Sequence, residues 1–224
     1  MILSVPFLCW HAAQAGSLDT TSYWDGSSTI QPWGVPDTAT YGQTFLAPEP
    51  TLTDFTFYIQ GDVGVNLYYK AVVMNWAGSL LGGGGGGGTG VPLWVSPSLF
   101  FNGNGAFQAV TVTTPGVPLV VGSPYVMALT VSDPVDYAAS TGTTHWGIWT
   151  FNHAPASASG GGGFAFYNNA NFGIGSLTAG PWDNDTDFGD LAFKADFVPE
   201  PSACFAVTAL GLAGFVVLRR VRRS

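Results

Sequence analysis

Four aspartates stand within eight residues in the run Asp183-Asn184-Asp185-Thr186-Asp187-Phe188-Gly189-Asp190. Carboxylate and amide oxygens at such short spacing suit a hard cation, and Ca²⁺ is the ion this pattern would hold, through Asp183, Asp185, Asp187 and Asp190. The run is not an EF-hand loop: Phe188 stands where that loop needs glycine, and Lys194 where it needs a bidentate glutamate. A polar turn leading into a strand uses the same residue types for their turn propensity, so both readings stand. Aromatic rings are the second chemical resource. Of the eight tryptophans, all but Trp10 lie between residues 24 and 182. Indole faces stack on the C–H faces of sugars, and Trp24, Trp33 and Trp182 fall in segments rich in Gly, Pro and Asp, where an accessible ring is expected. Trp146 and Trp149 differ in strand parity, so at most one of them turns inward.

Catalytic patterns are sparse. His145 and His153 are eight residues apart, about 26 Å in extended chain, too far to share one metal ion directly. No Gly-x-Ser-x-Gly elbow occurs, which removes the usual serine-hydrolase signature. The glycine tracts from Gly82 and Gly160 are not phosphate cradles, because no Gly-Lys-Ser/Thr opens a helix after either. Both read as mobile loops between strands. A glycosidase would need two carboxylates about 5–9 Å apart across a cleft, and a single local run is weak support for that geometry. An undetected hydrolase is the least favoured reading. The chain has fourteen acidic and six basic residues, and four of the basic ones are Arg219, Arg220, Arg222 and Arg223. From residue 16 to 200 only Lys70 and Lys194 oppose all fourteen carboxylates, a balance that repels nucleic-acid backbones. Both cysteines, Cys9 and Cys204, lie in the terminal segments, so residues 16–197 have no disulfide and no thiol chemistry.

The segments that carry these residues read as strands. Thr53–Ile59 alternates, with Phe55, Phe57 and Ile59 on one face. Val63–Trp76 keeps Val65, Leu67, Tyr69, Ala71 and Val73 in phase. Ala106–Thr113, Pro124–Val131 and His145–Phe151 follow, and Asp190–Phe197 turns Leu191, Phe193, Ala195 and Phe197 inward, with Ala192, Lys194 and Asp196 outward. No helical period is long enough to assign. About 180 residues of short strands without helices predict one all-β domain over 16–197, an antiparallel β-sandwich of jelly-roll type.

The two ends read as addresses. Met1–Trp10 is largely apolar and Ala13-Gln14-Ala15 has the form of a signal-peptidase site, so 1–15 is read as a signal peptide, although no basic residue precedes the apolar stretch. At the other end, Val198-Pro199-Glu200-Pro201-Ser202 precedes an apolar run from Ala203 to Leu218, then the four arginines within 219–224. As a helix that run would span roughly 24 Å, short for a bilayer core but within reach when the arginines snorkel. Arginines retained in the cytoplasm would leave everything before Pro199 outside.

This order of motif, apolar segment and basic tail resembles the PEP-CTERM sorting signal of Gram-negative bacteria. The resemblance covers 198–224 and implies export, membrane insertion and processing near Pro199-Glu200-Pro201 by an exosortase, an integral-membrane cysteine peptidase. It also implies a setting of exopolysaccharide and biofilm. The remainder is similar to a group of exported bacterial β-sandwich proteins that carry this tag. The matching motifs are Gly42-Gln43-Thr44-Phe45, Leu52-Thr53-Asp54-Phe55-Thr56-Phe57, Gly122-Ser123-Pro124-Tyr125-Val126, and Pro181-Trp182-Asp183 before Asp190-Leu191-Ala192-Phe193. That second resemblance implies a fold related to carbohydrate-binding jelly rolls and brings no catalytic residues. The expected function is therefore a non-catalytic cell-surface or matrix protein, with exopolysaccharide binding as the alternative.

Overall fold

A computed structural model describes residues 16–81, 86–150, 152–168, 172–183 and 188–199. The protein is all-β, with two antiparallel sheets. The strands are β1 Ser17–Asp19, β2 Thr29–Val35, β3 Thr40–Leu46, β4 Thr51–Gln60, β5 Asn66–Ala77, β6 Gly87–Val95, β7 Leu99–Asn102, β8 Phe107–Pro118, β9 Pro124–Thr130, β10 Gly142–Trp149, β11 Phe164–Tyr167, β12 Asp190–Leu191 and β13 Phe193–Val198. Two short helices, α1 Pro134–Ala139 and α2 Ala156–Ser159, and a 3₁₀ turn at Ile174–Thr178 are the helical elements among the described residues.

The first sheet is built around β4. One edge of β4 pairs with β8 along its length; the other pairs with β13 from Thr51 to Phe57 and with β10 at Ile59 and Gln60. β1 extends the sheet beyond β13, and β10 carries β2 and β12. The second sheet runs β11-β3-β9-β5, and the outer edge of β5 is shared by β7 at Asn66–Tyr69 and β6 at Val72–Ala77.

The alternation expected for β4 is present, with Phe55, Phe57 and Ile59 fully buried. A register shift between Leu52 and Asp54 resets the pleat, so that Leu52, three residues from Phe55, is buried as well. Leu67, Tyr69, Ala71 and Val73 of β5, together with Leu191, Phe193, Ala195 and Phe197, line the same core. Trp146 sits at its centre, with Trp33, Tyr41 and Phe57 at ring separations of 5.0, 5.4 and 4.9 Å. Ala192, expected outward, is buried: its N–H donates to Gly147 O, and its Cβ lies beside Gly147 at the place where the Trp24 ring covers the sheet.

The second sheet is covered on its other face too. Val72, Met74 and Trp76 of β5, Val126 and Ala128 of β9, and Ala165 of β11 pack under Leu177 and Trp182. This second cluster corrects the loop reading for Gly86–Gly88, whereas Gly160–Gly163 do form the connection between α2 and β11, as expected, but a closely packed one. Gly87 and Gly88 belong to β6, while Gly86 bridges Trp182 and lies so close to the Trp76 ring that a Cβ would overlap it. Gly162 is pressed against the Thr44 carbonyl in the same way, and Gly163 exchanges hydrogen bonds with Thr44. These glycines are required by close approach of chain to ring and of chain to chain. Gly82–Gly85 lie outside the described residues.

Removing the central indole should be costly. Trp146→Ala is expected to lower unfolding stability by about 3–5 kcal/mol. The half-buried Trp149→Ala should cost clearly less, as measured by urea unfolding of the two variants side by side.

Candidate functional site

The loop between β1 and β2 is a pinned structure. The hydroxyl of Thr20 donates to Leu191 O at 2.6 Å and accepts from Phe193 N–H at 2.9 Å. Asp25 accepts the Ser27 and Ser28 amides, each at 2.7 Å, and the Ser28 hydroxyl at 2.6 Å. The Ser28 hydroxyl, with those amides, holds the Asp25 carboxyl far below the usual range. The loop so fixed lays Trp24 over the outer face of the first sheet, where its Nε1–H donates to Ser28 O at 2.8 Å. Its ring meets Phe107 edge-on at 4.7 Å and Tyr58 at 5.7 Å. Gly147 of β10 makes room, since a Cβ there would come within 2.7 Å of the indole. Beside it Tyr23 stacks on Trp149 at 5.3 Å. Tyr23 with Trp149, and Trp24 with Tyr58 and Phe107, form two adjoining groups that make a partly exposed aromatic strip across β4, β8 and β10.

The three tryptophans expected to be accessible divide. Trp24 is half-buried in the strip. Trp33 and Trp182 are corrections: both are buried, at 0 % and 2 % exposure. Trp33 belongs to β2, donates its N–H to Ala39 O and packs on Trp146 and Tyr69. Trp182 covers the second sheet, stacked on Tyr167 at 5.9 Å with its N–H on Leu177 O. Their flanking Gly and Pro residues shape close packing there, so neither ring is available to a glycan. Trp146 turns inward and Trp149 outward, as strand parity requires.

The acidic run is also split. Asp183 is exposed and its main chain pairs with Phe166, whereas Asp190 is fully buried. Asp190 Oδ1 accepts from Gln43 Nε2 at 2.9 Å and Oδ2 from Ala154 N–H at 2.6 Å. Gln43 Oε1 in turn accepts Leu191 N–H at 3.0 Å, which ties β3 of one sheet to β12 of the other. Asp190 therefore leaves the expected Ca²⁺ ligand set, because both of its oxygens are engaged inside the fold. Asp185 and Asp187 lie outside the described residues. Among the described residues no three of His, Cys, Asp and Glu gather in a way that could hold a metal ion.

His153 lies beyond the end of β10 and does not share that strand with His145; its Nδ1 stands 3.6 Å from Asp190 Oδ1. Nothing in the residue pattern marked this buried group, since Gln43 and Asp190 are 147 residues apart. The sorting motif begins where the fold stops: Val198 is the last residue of β13 and Pro199 follows. Glu200, Pro201, Ser202 and Arg219, Arg220, Arg222 and Arg223 lie outside the described residues. No helix among the described residues is long and apolar enough to cross a membrane. Comparison with protein-family models, curated proteins and solved structures finds no match to this chain.

Burial pushes the Asp190 carboxyl upward more than the Ala154 amide, Gln43 and His153 pull it down. The folded state thus binds this proton more tightly than the unfolded chain. Its contribution to stability is present in acid and is lost as pH rises from about 4 through the raised folded value. The stability of the native chain relative to Asp190→Asn should accordingly fall with pH across that window, measured by urea unfolding at closely spaced pH values. Parallel profiles for the two chains would contradict this assignment.

Proposed function

We propose that this chain is a non-catalytic, exported cell-surface or extracellular-matrix protein, delivered through a C-terminal PEP-CTERM signal and processed by an exosortase-like membrane peptidase. The observation that carries the reading is the junction at Val198-Pro199. The last core strand ends there, and the motif, apolar run and arginine cluster follow in sequence without an intervening domain. Two prolines flanking Glu200 favour an extended segment that a peptidase can engage. The acidic surface suits a protein kept soluble outside the cell, since Lys70 and Lys194 are each paired to an aspartate, Asp133 at 2.6 Å and Asp19 at 3.0 Å. Successive strands pass repeatedly from one sheet to the other, as at β3–β4–β5 and β8–β9–β10, which supports a jelly-roll-like winding.

The experiment is expression of the full chain with and without an exosortase. A size decrease and release from the membrane are expected only with the peptidase, and replacing Pro199, Glu200 and Pro201 with alanine should abolish both. Identical, membrane-bound chains in the two hosts would refute the reading.

A specific observation favours exopolysaccharide binding as a second reading, namely the aromatic strip on the first sheet. Partly exposed rings fixed on a sheet by their contacts with one another are suited to stacking against sugars at low entropic cost. Trp24→Ala and Tyr23→Ala are expected to weaken retention on immobilised bacterial polysaccharide at least tenfold. Leu93→Ala, on β6 of the opposite sheet, should leave it unchanged.

A further inference from the structure

Both ends of the described chain emerge at one pole of the sandwich. β13 arrives there with Val198 opposite Thr51, which in turn faces Pro118 of β8. Phe197 N–H donates to Gly16 O at 2.9 Å, bringing the first described residue to the same place. The β3–β4 link and the β8–β9 turn complete this pole, joined by hydrogen bonds from Leu119 N–H to Pro50 O at 2.7 Å and from Gly122 N–H to Ala47 O at 2.9 Å.

The surface of this pole is apolar and rigid. Val120 and Val121 at the tip of the β8–β9 turn are 67 % and 56 % exposed, and Leu46 and Val198 beside them are 38 % and 41 % exposed. The turn cannot fold its valines away. Val120 N–H donates to the Tyr125 hydroxyl at 2.8 Å, Ser123 N–H donates to Val120 O at 3.0 Å, and Gly122 takes a φ of +77°. Turn tips are ordinarily Gly, Asn, Asp or Ser, and the core does not require two valines here. Prolines 48, 50, 118, 124 and 199 surround the tip and offer no main-chain N–H, so little polar backbone would be stranded in an apolar medium. Neither described lysine is free to add an electrostatic attraction, and Glu49 stands at the pole.

Chain length then brings a lipid surface to this pole. Four residues, Pro199–Ser202, separate Val198 from the apolar run at Ala203, and five Cα steps reach at most about 18 Å. Pro118 is two strand spacings, roughly 10 Å, from Val198. We infer that the Val120–Val121 tip enters the interfacial layer of the bilayer and seats the sandwich on its β13 pole while Ala203–Leu218 is inserted. This rests on the membrane-delivery reading above. It would hold the Val198–Ser202 motif at the membrane surface, within reach of an integral-membrane peptidase. Once the tether is cut, two valines are too little apolar area to retain the domain.

The test uses the full chain carrying Cys9→Ser and Cys204→Ala, reconstituted into phosphatidylcholine vesicles. An environment-sensitive fluorophore is attached through Val121→Cys or, at the opposite pole, through Val63→Cys. Val63 is 84 % exposed in the β4–β5 turn, and the ten residues of β4 place it roughly 30 Å away. The expected result is a blue-shifted emission at position 121 that nitroxide-bearing lipids quench and salt does not alter, with water-like emission at 63. Adding Val120→Asp should reduce the quenching at 121. Water-like emission at both positions in chains that co-float with vesicles would overturn this inference and leave membrane delivery standing. A blue shift at 121 without lipid quenching would mean that a second copy covers the tip, and also overturns it. Failure of the chain to co-float would overturn the delivery reading and this inference together.

Discussion

Both sheets are joined by the rings that meet at Trp146. Trp33, Tyr41 and Phe57 reach the indole from three different strands, and through them β2, β3, β4 and β10 share one point of packing. Tyr41 belongs to the second sheet and the other three rings to the first, so the cluster sets the spacing between the layers. Aromatic rings bury large areas and prefer edge-on or tilted contacts, which gives the interface a defined geometry as well as area. Trp24 and Trp149 are organised on the other face of the same strand β10, which must stay fixed for the outer strip to exist. Core and candidate site are thus opposite faces of one strand.

A second constraint is the coverage of the second sheet by Leu177 and Trp182. Strands buried on both faces lose the alternation that marks a solvent-facing sheet, as Ala71–Met74 and Val126–Thr130 do. Close approach of other segments to this sheet also explains the use of glycine. Gly86, Gly88 and Gly162 stand where a ring, the end of Met74 or a neighbouring carbonyl comes too close for a Cβ. The coverage stops short of the β5–β7 end of that sheet, where Tyr68 and Phe100 lie together at 4.9 Å and remain partly exposed.

Charge and shape divide the molecule by role. On the first sheet Asp54 faces Asp196 directly across β4 and β13; burial first, and then the facing Asp54, push the Asp196 carboxyl upward. Like charges opposite each other cost stability, and their retention on a solvent face fits a surface kept soluble by repulsion. The pole where β13 leaves the fold is instead capped by valine, leucine and proline. An acidic flank and a mainly apolar end are the division of surface that the proposed seating on a membrane requires.

Local residue pattern is enough to specify the all-β class, the absence of cysteine between residues 16 and 197, and the inward faces of β4, β5 and β13. Alternation is a local signal, and Phe55, Phe57, Ile59, Leu67, Phe193 and Phe197 obey it because one face of each strand meets one core. The burial of Trp33 and Trp182, the close packing of the later glycine tract, and the withdrawal of Asp190 into the interior follow from long-range packing instead. Each depends on partners far along the chain: Trp146 for Trp33, Trp76 and Tyr167 for Trp182, Gln43 for Asp190. Gly, Pro and Asp signal a loop locally, and they equally suit sites where another segment approaches closely. The aromatic strip was legible only in Trp24, because Tyr58, Phe107 and Trp149 become neighbours when β4, β8 and β10 pair. Residue type reports what a side chain can do, but which side of a sheet it occupies, and what lies against it, is set by long-range pairing.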